Sequence, residues 1–226
     1  MAEGVIVLLS GGIDSAVCLW WARQRGWQLY ALTVNHYPLN HDRELSSAKA
    51  LARAAGVVEH RIIELPQLKE LADMKLAPPH PLSEAHGASP SYLPAKNLIY
   101  YGLAAAWAEE LGIDKLMGGH ISSDAQLYPD SSPGYLAKLN ELINEGLVSS
   151  SRRPLRLLAP LILLSKAEVI KLGLRLGAPL ELTWSCHERR KEPCGACGGC
   201  EARRRAFSEL GLEDPALRVP SPSPAP

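Results

Sequence analysis

Two groups of residues in this chain have the types and spacing to do chemistry. The first is Ser10-Gly11-Gly12-Ile13-Asp14-Ser15. It follows the apolar run Val5-Ile6-Val7-Leu8-Leu9 and precedes Ala16-Val17-Cys18-Leu19-Trp20-Trp21-Ala22. That order reads as buried strand, turn and helix. Gly11 and Gly12 permit positive φ and a close approach of backbone to a ligand. Ser10, Asp14 and Ser15 cluster where helix caps belong. A helix N-terminus collects free N–H groups and the positive end of the dipole, so the expected guest is an anion such as phosphate. No lysine follows the glycines, which sets the turn apart from the usual mononucleotide loop. The second group is Cys186, Cys194, Cys197 and Cys200, spaced C-x7-C-x2-C-x2-C with Gly195, Gly198 and Gly199 between them. Four thiolates suit a closed, tetrahedral, structural zinc site. An iron–sulfur cluster is the main rival, and a redox dithiol would need fewer thiols. Cys18, the fifth cysteine, falls in the first helix, away from this group.

The elements that must position these groups alternate. Trp27 to Asn35 reads as a second strand after a helix stop at Gly26. Its Leu32 and Val34 would lie beside the first strand end, where an adenine could rest. Asp42 to Ala55 reads as a helix and Val57 to Leu65 as a third strand, with polar His60 and Arg61 inside it. The stretch from Met74 to Pro94 holds five prolines together with His80 and His86, and reads as a long loop. Lys96 to Leu111 is helical, and Lys115 to Gly119 a short fourth strand ending in glycines. His120 to Asp130 follows as a loop at the carboxyl end of that strand, where open α/β sheets bind ligands. Asp124, Tyr128 and Asp130 are thus placed for a substrate, or else are plain loop and cap residues. Ser132 to Glu145 is a helix, and Leu155 to Leu161 begins a connecting stretch. Ser165-Lys166-Ala167-Glu168 is a capping signature that opens a helix to about Leu176. Arg203, Arg204 and Arg205 read as a solvated helix face, with contact to phosphate as the alternative.

The fold class that follows is α/β, a doubly wound parallel sheet with a small C-terminal zinc-binding element. Residues 1–180 form the α/β domain, 181–214 the element packed on it, and 215–226 a disordered tail. The chain of 226 residues carries 24 Lys+Arg and 24 Asp+Glu. Zero net charge argues against a nucleic-acid-binding surface. No apolar run approaches the roughly 20 residues of a membrane span. The first strand begins at once, so no signal peptide is expected, and cysteines spaced for a metal point to a reducing, cytoplasmic setting.

The hexapeptide resembles the Ser-Gly-Gly-x-Asp-Ser pyrophosphate loop of the N-type ATP pyrophosphatases, which cut ATP between the α- and β-phosphates. Together the two groups resemble one family, 7-cyano-7-deazaguanine synthase of the queuosine pathway, over the chain up to about Asp214. The resemblance is carried by the loop, by Tyr128-Pro129-Asp130, and by Pro160-Leu161 before Ser165-Lys166-Ala167-Glu168. It is carried further by Thr183-x-Ser185-Cys186, then Pro193-Cys194-Gly195-x-Cys197-x-x-Cys200, Arg204 and Ala206-Phe207. Three segments depart. The family's Tyr-Gly-Gln-Arg-His is here Tyr37-Pro38-Leu39-Asn40-His41, its Val-Pro-Gly-Arg-Asn is Leu93-Pro94-Ala95-Lys96-Asn97, and its Tyr-Pro-Asp-Cys-Arg is Tyr128-Pro129-Asp130-Ser131-Ser132. Three arginines are absent, and one position holds Lys96. Arg and Lys differ wherever a planar carboxylate is gripped by two N–H groups.

The resemblance implies an adenine nucleotide alpha hydrolase-like fold and an ATP-dependent carbon–nitrogen ligase. It would activate 7-carboxy-7-deazaguanine, pass it to ammonia and dehydrate the amide to a nitrile. Ser10, Gly11, Gly12, Ile13, Asp14, Ser15, Leu32 and Val34 would bind ATP. Mg²⁺ would accompany it at Asp14. Asp14, Ser15, Lys96 and Asp124 are the catalytic candidates, and His41, Lys96, Asn97, Tyr128 and Asp130 the substrate contacts. The partners implied are ATP, a small heterocyclic carboxylic acid and ammonia, with a homodimer possible. Two alternatives stay open: a related adenylating ligase with another acceptor (another acid, a protein or tRNA), and a non-catalytic nucleotide-binding subunit.

Overall fold

The computed structural model of the chain describes residues 3–36, 41–68 and 93–217. Five strands form one parallel sheet: β1 (Gly4–Leu8), β2 (Gln28–Asn35), β3 (Glu59–Glu64), β4 (Lys115–Met117) and β5 (Arg156–Leu158). Their order is β3-β2-β1-β4-β5, which puts β1 at the centre. The helices are α1 (Ile13–Gln24), α2 (His41–Ala55), α3 (Lys96–Leu111), α4 (Ser122–Leu127), α5 (Pro133–Gly146), α6 (Lys166–Leu176) and α7 (Gly198–Glu209).

The continuous apolar run of β1 is explained by burial on both faces. Val5 and Val7 turn into a core shared with α1, α2, α6 and α7, while Ile6 turns into a second core with Tyr101, Ala104 and Ala108 of α3 and Leu136 and Leu139 of α5. The sheet is therefore wound on both sides. The order of connection reverses between β1 and β4, and the crevice beyond their carboxyl ends is the expected ligand site. Among the described residues, no helix is long and apolar enough to cross a membrane.

Several local expectations are corrected. The stretch after Leu155 is not only a connection: Arg156, Leu157 and Leu158 pair with Lys115, Leu116 and Met117 as the edge strand β5. Three residues are too few to show a period in the sequence. The segment after β4 is helical rather than loop, because the Asp124 carboxylate accepts the Ile121 N–H at 3.0 Å and starts α4. A 3₁₀ turn follows over Pro129–Ser131. His60 and Arg61 are tolerated because β3 is an edge strand. His60 meets Thr33 Oγ1 at 2.8 Å, and Arg61 pairs with Glu110 while lying over Trp107.

Arg203 does not belong to a solvated face. It is 4% exposed and its guanidinium binds both oxygens of Asp214, at 2.6 and 2.8 Å, and the Leu180 and Thr183 carbonyls. This clasp ties α7 to the segment after α6. Pro215–Leu217, expected in the tail, forms a 3₁₀ turn. Residues 218–226, most of the loop from Met74 to Pro94, and Tyr37 to Asn40 lie outside the described residues.

Candidate active site and thiol cluster

The loop between β1 and α1 is built by its own hydroxyls. Ser15 Oγ donates to the Gly12 carbonyl at 3.0 Å, accepts the Ser10 N–H at 3.3 Å, and lies 3.1 Å from Ser10 Oγ. Ser10 Oγ accepts the Gly12 N–H at 3.3 Å. The N-cap of α1 is Gly12, and no side chain caps it. The serines therefore shape the turn rather than occupy the helix end, which leaves that end open to an anion. Gly11 has φ +90°, and a Cβ there would press on the backbone of α2 at Glu44 and Ala48. Gly119, past the end of β4, has the same kind of necessity. A Cβ on it would stand 2.7 Å from the Asp14 carbonyl carbon and 2.8 Å from the Ser15 nitrogen.

A cavity of about 1340 Å³ opens at the carboxyl ends of the strands. Ser10 and Asp14 line it from the loop, Leu32, Thr33 and Val34 from β2, and His41 and Glu44 from α2. Lys96 and Tyr100 of α3, Asp124 of α4, and Tyr128 and Asp130 stand on the β4 side. Of the residues expected from sequence, these therefore converge: Ser10, Asp14, Leu32, Val34, His41, Lys96, Asp124, Tyr128 and Asp130. Ser15 and Ile13 are buried behind the loop and do not line the cavity, and neither do Gly11 and Gly12.

Asn97, read as a substrate contact, is turned away. Its side-chain amide donates to the Asp130 carbonyl and to Ser131 Oγ, both at 3.0 Å, and its own N–H donates to Asp130 Oδ2 at 3.1 Å. Asp130 thus caps the start of α3 while also facing the cavity. Ala95, just before that helix, is held at φ +55°.

The residue that sequence reading missed is Lys166. Its Nζ lies 2.8 and 2.7 Å from the two oxygens of Asp14, and it lines the same cavity. A signal was available. A lysine at the first position of a helix opposes the dipole there, and a carboxylate from outside the helix would offset that cost. Tyr100 was also missed; its hydroxyl meets His36 Nδ1 at 2.7 Å. Burial, aided by the charge of Lys96, holds His36 down at about 4, and does the same to His120, whose Nε2 meets Tyr101. Both imidazoles are neutral near pH 7. Burial pushes the Asp124 carboxyl up, against the Ile121 N–H bond, and the neighbouring Asp14 charge adds to the rise.

The four clustered sulfurs lie within 4.8 Å of one another, with Cys194 and Cys200 3.9 Å apart. A tetrahedral ion with metal–sulfur bonds near 2.3 Å needs sulfurs about 3.8 Å apart, so the cluster could hold zinc. Backbone N–H groups support the sulfurs: Glu188 and Cys194 donate to Cys186, His187 to Cys197, and Cys197 to Cys194. The Ala196 and Cys197 N–H groups pull the Cys194 thiol down to about 6, favouring the thiolate a metal requires. Cys18 is remote, buried in the core with its thiol directed at the Gly118 carbonyl.

A parallel sheet with this loop at its switch point defines the class, an α/β fold of the adenine nucleotide alpha hydrolase type. The NMN synthetase of Francisella tularensis superposes on it with a TM-score of 0.52 at 20% identity, covering 94% of this chain and 79% of that one. That likeness concerns fold alone. The family is given by sequence: the chain belongs to the queuosine biosynthesis protein QueC family, whose model matches residues 4–211. It is 35% identical to the 7-cyano-7-deazaguanine synthase of Oceanobacillus iheyensis over 214 residues, 93% of this chain and 96% of the other. It is 38% identical to the protein of the same name from an Anaeromyxobacter species, with 95% of each chain covered.

Proposed function

We propose that the protein makes 7-cyano-7-deazaguanine from 7-carboxy-7-deazaguanine and ammonia, using ATP and releasing AMP and pyrophosphate. The observation that carries this reading is the convergence on one cavity of Ser10 and Asp14, at the uncapped start of α1, with Lys166 paired to Asp14 and with Lys96. Phosphates bind at the helix end and beside Lys166. The adenine rests against Leu32 and Val34. The acceptor lies across the cavity among Lys96, Tyr128 and Asp130, where the ammonium of Lys96 draws its carboxylate.

Asp14 and Asp124 are the residues that would hold Mg²⁺, which when bound shields the phosphate charge. The acceptor carboxylate oxygen attacks the α-phosphorus and pyrophosphate leaves. Ammonia then displaces AMP from the acyl carbon and gives the amide, losing a proton. The amide oxygen attacks the α-phosphorus of a second ATP, a second pyrophosphate leaves, and departure of AMP with loss of two N–H protons leaves the nitrile. The protein contributes position and charge rather than a covalent partner. Zinc at the four cysteines would be structural, and such a thiolate site accords with a reducing, cytoplasmic setting.

The test is direct. The purified protein is incubated with 7-carboxy-7-deazaguanine, ammonium and Mg·ATP, and the products are read by mass spectrometry and nucleotide chromatography. The nitrile with AMP and pyrophosphate is the expected outcome. ADP and phosphate alone would refute the adenylation, and an amide that never loses water would limit the enzyme to the first activation.

A further inference from the structure

The thiol cluster and the phosphate loop are joined by three residues. The Trp184 N–H donates to the Gly11 carbonyl at 2.9 Å, and the Trp184 carbonyl faces Gly12. Two residues on is Cys186, the first thiol, 1% exposed. The Trp184 indole N–H donates to the Cys186 carbonyl at 2.8 Å and closes this short segment on itself. On its other side Gly11 meets the backbone of α2. Glycines have no side chains of their own to fix them, so neighbours must set their conformation. Gly11 is clamped between α2 on one side and the segment leading to Cys186 on the other.

The far side of that segment is formed by the remaining thiols. Cys197 is the N-cap of α7, and Gly199 in its first turn lies against the Ser185 carbonyl and His187 so closely that a Cβ has no room. Residues 187–196 carry neither helix nor strand. With little apolar surface, such a stretch takes its order from the metal that its thiolates bind. The first turn of α7 also forms a wall of the nucleotide cavity, through Gly198 and Gly199.

We propose that metal binding by the four cysteines sets the position of the phosphate loop through the Trp184–Cys186 segment, so that nucleotide affinity depends on the metal. The cluster is then a positioning device for the loop as well as a staple for the C-terminal element. This rests on the loop being the nucleotide site.

The experiment titrates the full chain with α,β-methylene-ATP and Mg²⁺ in a calorimeter. It compares zinc-loaded protein, protein stripped with a chelator that is then dialysed away, and zinc-loaded Trp184→Pro. Proline removes the N–H that holds Gly11, and Thr183 before it is already extended (φ −85°, ψ 149°), as a residue preceding proline prefers. Stripping and Trp184→Pro should each raise Kd by about tenfold or more, the latter at one zinc per chain. Hydrogen exchange should show amides 10–13 losing protection when zinc is removed. Nucleotide bound equally well by stripped and loaded protein, or by fully loaded Trp184→Pro as by wild type, overturns the inference. Zinc-loaded wild type that binds no nucleotide overturns the reading of the loop itself, a distinct failure.

Discussion

Lys166 and Asp14, 152 residues apart in the chain, meet through both carboxylate oxygens at 2.7 and 2.8 Å. The pair joins the first turn of α6 to the first turn of α1. Two helix N-termini, each carrying a positive partial charge, thus converge beside one carboxylate and one ammonium. The arrangement concentrates positive potential at one side of the cavity, where the proposed function would place a polyphosphate, with Asp14 as the group to hold its counterion.

Lys166→Met should therefore act on ATP rather than on the fold. Both side chains are about one quarter exposed, so the pair itself adds little to stability. kcat/KM for ATP should fall by at least about tenfold, as for loss of a donor to developing charge. Asp14→Asn should do the same and also demand more Mg²⁺. A Lys166→Met enzyme with wild-type ATP kinetics would remove the lysine from the phosphate site.

How much of this was legible beforehand depended on the range of the contacts. β1, the loop and α1 form one continuous signal, because an apolar run, two glycines and an apolar helix are adjacent in the chain. The thiol spacing was equally local. Lys166 could be noticed as a cation set against its own helix dipole, but nothing in a local pattern tells which residue 152 positions away it will touch. Arg203 failed for the same reason: three arginines in a row look like a solvated face until the chain returns with Asp214. β5 was missed because Arg156-Leu157-Leu158 is too short to show a period. That the Asn97 amide turns to Asp130 and Ser131 was not legible, because proximity to the site in sequence does not fix which way an amide points.

The clasp between Arg203 and Asp214 predicts an asymmetry. Both side chains are about 5% exposed or less. Asp214→Ala leaves a buried guanidinium with its carbonyl partners alone, at a cost of about 3–5 kcal/mol. Replacing both, as Arg203→Met with Asp214→Leu, should cost less than Asp214→Ala because no buried charge remains. Chemical denaturation of the single and double variants compares them. Equal losses would mean that the carboxylate is not what holds the arginine.

Ala95 stands at φ +55°, at a position where the resembling family has glycine. A non-glycine residue in that region costs about 1–2 kcal/mol. Ala95→Gly relieves this strain, and the extra freedom of glycine in the unfolded chain offsets part of the relief. The net expectation is a gain of about 0.5–1 kcal/mol. Thermal unfolding should show a higher melting temperature, and an unchanged or lower one would deny the strain.

Buried neutral histidines should make the fold acid-sensitive. His36 and His120 titrate at about 4 when folded, below the usual 6.5. Between those values the unfolded chain binds protons that the folded chain does not, so stability rises with pH across the window. Their contribution is fully present above about 6.5 and is lost as pH falls to about 4. His120→Gln should flatten the melting temperature against pH there. A profile as steep as wild type would place the acid sensitivity elsewhere.

The acceptor side gives the most discriminating case, because Lys96 and Asp130 differ in what else they do. Lys96 is exposed, lines the cavity and opens α3. Asp130 lines the same cavity, but its Oδ2 also accepts the Asn97 N–H at 3.1 Å. Removing the ammonium should therefore act on the substrate while sparing the helix start, whereas removing the carboxylate touches substrate and helix start together. Losing a charge-assisted bond costs about 1.5–3 kcal/mol, so Lys96→Ala should lower kcat/KM for the carboxylic acid by roughly 10- to 150-fold. Its melting temperature and ATP binding should stay near wild type. Asp130→Ala should show a comparable kinetic loss together with a cap loss of about 1 kcal/mol in stability. Lys96→Arg, which supplies the two-pronged donor found at that position in the resembling family, should retain most of the rate. If Lys96→Ala melts early and keeps a normal kcat/KM for the acid, the carboxylate binds elsewhere in the cavity.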